Sequence, residues 1–167
     1  HKRMMDQVQA ATMAARAGKA ARIVLKMNAL TDEALGLALA EAGRAGATVD
    51  LIVRGACIVP AGRPGFSDNV RVRSIIGRFL EHSRVFYFRV GDEETLYLSS
   101  ADWMGRNMFR RIELAWPVDD PAMRQRLIDE TLTAYLHDER DAWQMMPGGH
   151  YERVSRLRGK PGRSAQR

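Results

Sequence analysis

Two short apolar runs with an amphipathic stretch between them constrain the fold more than any other feature. The runs lie at 23–25 and 49–53, and the stretch between them covers 31–42. Thr31, with two acidic residues directly behind it, marks a helix start, because acidic groups suit the positive end of a helix dipole. Gly43 closes the helix. This order predicts a βαβ unit with parallel strands and a right-handed crossover.

The other predicted elements extend this unit into one α/β domain. They are helix 4–17, strand 70–75, a hairpin of strands 84–90 and 94–100, strand 111–118, and a long C-terminal helix from 120 to about 146. Trp103 and the aromatic hairpin residues Phe86, Tyr87 and Phe88 are predicted to belong to the core. The chain has 167 residues, which is enough for one such domain.

The net charge of +6 is concentrated near the end of the chain. Residues 150–167 hold five Arg and one Lys against one Glu, so we expect a domain over 1–149 and a flexible basic tail over 150–167. This distribution gives no indication of a specific nucleic acid partner. Between 54 and 84, six Arg oppose only Asp68 and Glu81, which predicts a local anion site.

Several classes of protein are excluded by what the sequence lacks. One cysteine, Cys57, rules out a disulfide framework or a multi-cysteine zinc site. No apolar run approaches the roughly 18 residues that a membrane span needs. The start at His1, without an initiator Met, is what an excised piece of a longer protein would show.

Polar residues follow the two predicted parallel strands, where ligands gather in open α/β sheets. Lys26 and Asn28 end the first strand and point to the same side, and Arg54 ends the second. These side chains are candidates for an anion site. The alternative is that they are ordinary polar strand ends facing water.

The hairpin predicts a second group of polar side chains. A turn at 91–93 places His82 near Asp102 and Arg84 near Ser100. A carboxylate beside a histidine sets its tautomer and raises its basicity. The alternative for His82 is a purely structural role.

Phosphoryl transfer suits this set of residues, because it needs positive charge around the phosphate oxygens more than covalent chemistry from the protein. The sequence has no GxxxxGK[ST] loop, no kinase-type Gly-rich loop and no metal-site spacing of carboxylates. The residues by themselves therefore indicate a phosphate or polyanion site and leave the reaction open.

Several collinear runs resemble a known family. They are 25–30 (LKMNAL), 50–55 (DLIVRG), 69–75 (NVRVRSI), 77–84 (GRFLEHSR), 97–104 (YLSSADWM) and 106–107 (RN). Residues 22–126 resemble the C-terminal, phospholipase-D-like domain of the long multidomain bacterial polyphosphate kinases. The resemblance implies an α/β fold with a phospholipase-D-like mixed sheet flanked by helices. It also implies reversible transfer of the terminal phosphate of ATP to inorganic polyphosphate through a phosphohistidine.

The resemblance also implies roles for residues of this chain. Arg54 and His82 would be catalytic and bind the phosphates of the nucleotide. The remaining candidates fall into two ranks: further phosphate contacts from Lys26, Asn28, Arg84 and Arg106, and supporting roles for Asp102 and Ser100. The phosphorylated histidine and the ligands of Mg²⁺ would lie in preceding parts of the family's chain. The isolated chain is therefore expected to be inactive.

The implied partners are ATP and ADP, inorganic polyphosphate, the upstream domains of the same enzyme, and further copies in a homo-oligomer. The implied location is the cytoplasm, with peripheral attachment at the inner membrane as a variant.

Two other functions stay open. One is a phospholipase-D-type phosphodiesterase, but its signature has Lys where this chain has Arg84 and Asp where this chain has Arg89. The other is a non-catalytic module for polyanion binding or oligomerisation.

Overall fold

A computed structural model describes residues 1–105, 107, 112–154 and 162–166. Its first half contains α1 (Lys2–Arg16), β1 (Ala21–Met27), α2 (Glu33–Arg44), β2 (Thr48–Val53) and β3 (Val70–Ile75). Its second half contains β4 (Arg84–Val90), β5 (Glu93–Ser99), β6 (Ala115–Pro117), α3 (Pro121–Leu127), a π-helical segment (Ile128–Thr133), α4 (Ala134–Leu136), β7 (Ala142–Met145) and β8 (Tyr151–Arg153).

The described strands form one mixed sheet in the order β6-β5-β4-β1-β2-β3-β7-β8. Strands β1, β2 and β3 are parallel, and every other pairing is antiparallel. The helices α1 and α2 pack on one face, and the helical stretch from α3 to α4 packs on the other. The predicted mixed α/β sheet flanked by helices is confirmed.

The βαβ unit forms as predicted. Leu35, Leu39 and Ala42 recur on one side of α2 and are fully buried against the sheet. At the end of α2, a Cβ on Gly43 would lie 2.6 Å from Cγ2 of Val70, so only glycine lets this helix approach β3 so closely. The end of α2 is thereby held against the amino end of β3.

The hairpin of β4 and β5 also forms as predicted, around Gly91 with a φ of 63°. Its aromatic residues and Trp103 belong to the core as predicted; none of these side chains exceeds 7% exposure. Phe86 meets Trp103 edge to face with ring centroids 5.5 Å apart.

The prediction of a helix as far as 146 was wrong. The helical stretch ends at Leu136, and β7 follows, paired antiparallel with β3. Nη1 of Arg73 accounts for the stop, because it donates to the carbonyls of Leu136 at 2.5 Å and Asp138 at 3.2 Å. The strand predicted over 111–118 is confirmed only as β6, and Arg111 lies outside the described residues.

The described parts of the predicted flexible tail contact the body of the protein. Strand β8 pairs with β7, across the expected boundary between 149 and 150. Nearer the end, the amide N–H of Ala165 donates to the carboxylate of Asp138 at 2.7 Å. The Gln166 side chain exchanges hydrogen bonds of 2.9 Å with both backbone groups of Phe79.

Candidate phosphate-binding site

Lys26 ends β1 in a buried polar network rather than at the surface. Its side chain is 4% exposed, donates to Oγ of Ser83, and lies 3.4 Å from Oε2 of Glu81. Its ammonium nitrogen also sits 4.4 Å from the ring centroid of Tyr135. Lys26 therefore anchors the segment that carries His82, and its remaining capacity for a phosphate is small.

Arg54 directly follows β2, the parallel neighbour of β1, so it lies with Lys26 at the edge formed by the carboxyl ends of these strands. Its Nη1 donates to the backbone carbonyl of Glu81 at 2.8 Å. That carbonyl belongs to the residue directly before His82. The other N–H groups of Arg54 have no hydrogen-bond partner among the described residues, which leaves a charged donor group for a ligand.

His82 is exposed and does not contact Asp102, contrary to the predicted pairing. The carboxylate of Asp102 instead forms a two-point ion pair with Arg84, at 3.2 Å from Nε and 3.1 Å from Nη2. Nη1 of Arg84 then donates to the His82 carbonyl at 2.9 Å and lies 3.4 Å from Nδ1 of the imidazole.

The physical reason is the register of the hairpin. Arg84 is the first residue of β4 and pairs with Ser99 in the ladder, so His82 lies outside the ladder, before β4 begins. The Arg84 side chain is long enough to reach Asp102, and it occupies the position beside that carboxylate that was predicted for the imidazole. The result is a relay of contacts, Asp102 to Arg84 to His82, that leaves Nε2 of His82 without a partner in the described part of the chain.

The other predicted residues divide between this site and other places. Asn28 lies at the site: its backbone N–H donates to Asp102 at 2.7 Å, and its Nδ2 is buried without a partner among the described residues. Ser100, predicted beside Arg84, instead accepts a hydrogen bond from the N–H of Leu114 at 3.0 Å. Arg106 lies outside the described residues.

Ionisation at the site follows from burial and from neighbouring charges. Burial lowers the pKa of Lys26, and the charge of Arg54 acts in the same direction, against the opposing effect of Glu81. At Asp102 burial by itself would raise the pKa, but the hydrogen bonds from Arg84 and from the Asn28 N–H outweigh it, so the pKa is lowered. Asp102 is therefore held as a carboxylate that fixes Arg84.

Sequence reasoning missed Glu81, Ser83 and Tyr135 as parts of the network. Glu81 and Ser83 flank His82 in the sequence, so their proximity was a usable signal. Tyr135 had no such signal, because only the packing of the helical stretch on the second face brings it to Lys26.

The cluster of arginines between 54 and 84 does not form one site. Arg54 and Arg84 reach the edge described above, whereas Arg71 lies near the amino end of β3 beside Asp50, and Arg73 donates to the carbonyls at the end of the helical stretch. Among the described residues, no group of three or more His, Cys, Asp or Glu side chains could hold a metal ion, so these residues do not fit a magnesium site. No helix in the described ranges is both long and apolar enough to cross a membrane.

Comparison with known proteins agrees with this architecture. The chain is 52% identical over 166 residues to the polyphosphate kinase of Burkholderia cenocepacia, and 51% identical over 166 residues to that of Paraburkholderia phytofirmans. These alignments cover 99% of this chain and 24% of either relative, so the chain spans about a quarter of their length.

Solved structures show the same fold. The crystal structure of the polyphosphate kinase from Porphyromonas gingivalis superposes with a TM-score of 0.91 at 36% identity, over 99% of this chain and 25% of that one. Nuc from Salmonella typhimurium, a phospholipase D family member, gives 0.50 at 15% identity over 71% of this chain and 80% of its own, which shows the fold alone. Residues 1–166 match the family model of the polyphosphate kinase C-terminal domain 2. The chain therefore belongs to the polyphosphate kinase family, as a representative of its C-terminal domain 2.

Proposed function

We propose that this chain supplies phosphate-binding groups to an enzyme that reversibly transfers the terminal phosphate of ATP to inorganic polyphosphate. The P–O bond to ADP breaks as a P–N bond forms to a histidine outside this chain. That P–N bond then breaks as the terminal oxygen of a polyphosphate chain takes the phosphoryl group. The relatives named polyphosphate kinase support this assignment.

The arrangement of Arg54 and His82 at one edge of the sheet carries the proposal. Arg54 binds the carbonyl of Glu81, and Arg84, fixed by Asp102, binds the carbonyl of His82. Two guanidinium groups are thus positioned before a ligand arrives, which is the condition for stabilising charge on a transferring phosphoryl group.

His82 has a distinct role in the proposal. Its Nδ1 faces Arg84, which leaves Nε2 to donate a hydrogen bond or a proton to a phosphate oxygen. Lys26 contacts Ser83 and Glu81 and so holds in place the segment that carries His82. In this proposal Lys26 is therefore a positioning residue. Asn28 adds a buried amide at the same edge, and Arg106 stays a predicted phosphate contact.

The proposal includes the wider setting of the reaction. ATP, ADP and polyphosphate are the substrates, the upstream domains supply the phosphorylated histidine, and the enzyme acts in the cytoplasm as a homo-oligomer. Mg²⁺ would neutralise phosphate charge, but the described residues of this chain do not fit it. No step of the proposal assigns the ion to them.

The decisive experiment uses a chimera of the Burkholderia cenocepacia relative in which this chain replaces the matching quarter. Polyphosphate synthesis from ATP and ATP formation from polyphosphate and ADP are both measured. We expect His82→Ala and Arg54→Ala each to lower the rate on the order of 100-fold in both directions, because each removes a charged or polar group from the transition state.

Two matched controls probe the same residue types away from the site. Arg89 donates to the carbonyl of Gly91 at the hairpin turn, and His150 pairs with Glu152, so Arg89→Ala and His150→Ala should keep wild-type rates. Wild-type rates in both site variants would contradict the proposal. Cleavage of a phosphodiester that His82→Ala abolishes would favour the phosphodiesterase alternative instead.

A further inference from the structure

A second polar cavity lies on the sheet face that the helical stretch covers, toward the amino ends of the parallel strands. Its volume is about 420 Å³, within the range of about 300–1,000 Å³ that small-ligand sites occupy. Four strands (β1, β2, β3 and β7) and the end of the helical stretch contribute its lining. The residues that the argument uses are Arg22, Asp50, Arg71, Thr133, His137 and Gln144.

A buried carboxylate organises the charges in this cavity. The side chain of Asp50 is 4% exposed and accepts hydrogen bonds from Arg22 at 3.2 Å and from Arg71 at 2.8 Å. The two guanidinium groups remain open to solvent, with side chains 46% and 60% exposed. Two positive charges therefore share one negative charge, and the N–H donors that Asp50 does not use are available to an anion.

Three further polar side chains line the cavity. The side chains of Thr133, His137 and Gln144 have no hydrogen-bond partner among the described residues. Arg73 adds a third positive charge nearby, although its Nη1 is occupied by the carbonyls at the end of the helical stretch. The lining contains no Phe, Tyr or Trp among the described residues, so the cavity offers no aromatic ring of those types for a base to stack on.

We propose that this cavity is a second phosphate site, which binds an inorganic oligophosphate. Arginine forks match phosphate oxygens bidentately, the cavity has a positive excess, and the lack of an aromatic lining disfavours a nucleotide. Arg22 precedes Lys26 by four residues on β1, so the backbones of these two residues are about 13 Å apart at the rise of an extended strand. The inference stands apart from the roles proposed for Arg54 and His82.

The test is an NMR titration of the ¹⁵N-labelled 167-residue chain with sodium tripolyphosphate, with ATP in a parallel arm. We expect saturable shifts of the amides of Arg71, His137 and Gln144, with an affinity that falls as salt rises. At these amides tripolyphosphate should bind more tightly than ATP.

The variant Gln144→Glu places a carboxylate in the cavity without touching the ion pairs of Asp50. It should weaken tripolyphosphate binding at these amides at least tenfold, whereas the matched neutral variant Gln144→Leu should weaken it much less. Retained dispersion of the amide spectrum verifies the fold of each variant. Arg54→Ala should leave this binding unchanged, which separates the result from the test of the proposed function.

Three results would overturn the inference. They are the absence of shifts at these amides, an unchanged affinity in Gln144→Glu, and tighter binding of ATP than of tripolyphosphate.

Discussion

Three cationic side chains at the candidate site are each held in place by a hydrogen-bond partner from the chain itself. Arg84 uses Asp102, Arg54 uses a backbone carbonyl, and Lys26 uses Ser83 and Glu81. Because the partners hold these cations in advance, a phosphate meets a charge arrangement that needs little reorganisation. Asp102 joins the end of β1 to the hairpin, because it accepts hydrogen bonds from the Asn28 N–H and from Arg84.

Replacing Asp102 with Asn should destabilise the protein in a pH-dependent way. The pKa of Asp102 is lowered in the folded state, so its stabilising effect is present above the pKa of an unfolded aspartate, about 4, and is lost as pH falls through the lower folded-state value. We expect Asp102→Asn to lower the free energy of unfolding by about 1–3 kcal/mol at pH 7, as for a hydrogen bond to a charged group. Urea unfolding at pH 7 and at pH 3 measures the effect.

The control for this experiment is a carboxylate outside the network of Asp102. Asp92 is exposed at the hairpin turn, so Asp92→Asn should change the unfolding free energy little at either pH. A loss in Asp102→Asn that is equally large at pH 7 and pH 3 would show that charge plays no part.

At the scale of elements, the sequence predicted best where a local signal and the tertiary packing agree. The two parallel strands and the hairpin have continuous apolar runs bounded by turn residues, and they form at the predicted places. The region after Leu136 was mispredicted because Arg73, distant in the sequence, ends the helix and β3 recruits the next residues as a strand. The predicted contact of His82 with Asp102 was wrong for a similar reason. Strand register shows which residues lie opposite one another, but it does not show that the long Arg84 side chain reaches Asp102.

The start of α2 offers a test of such local signals. Asp32, rather than the predicted Thr31, is the N-cap, and its Oδ1 accepts the N–H of Leu35 at 3.0 Å. We expect Asp32→Ala to lower the unfolding free energy by about 1 kcal/mol, because an unpaired N–H remains at the helix start. Urea unfolding measures the change.

The neighbouring Thr31→Ala is the matched control, since the side-chain hydrogen bond at the start of α2 comes from Asp32. It should cost clearly less than Asp32→Ala. An equal cost in the two variants would mean that Thr31 shares the capping role.

On the scale of the whole molecule, the end of the described chain returns to the candidate site. Gln166 joins the backbone of Phe79 through two hydrogen bonds, and its Nε2 lies 3.3 Å from Oε1 of Glu81. Glu81 in turn pairs with Lys26. Because these contacts join parts of the chain 85 or more residues apart, no local pattern could have predicted them.

Gln166→Ala should therefore loosen the segment 76–83 that carries His82. Loss of the two hydrogen bonds to Phe79, at about 1 kcal/mol each, should speed amide exchange in that segment by about 30-fold, while the central strand β2 stays protected. Hydrogen–deuterium exchange followed by mass spectrometry measures this. The control Arg163→Ala removes a positive charge from 162–166, the range that contains Gln166, but keeps the carbonyl that accepts the N–H of Glu139. Unchanged exchange over 76–83 in Gln166→Ala would contradict the link.

Deleting all of 150–167 removes charge and this tether together, so only the paired point variants separate an electrostatic effect of the tail from a structural one.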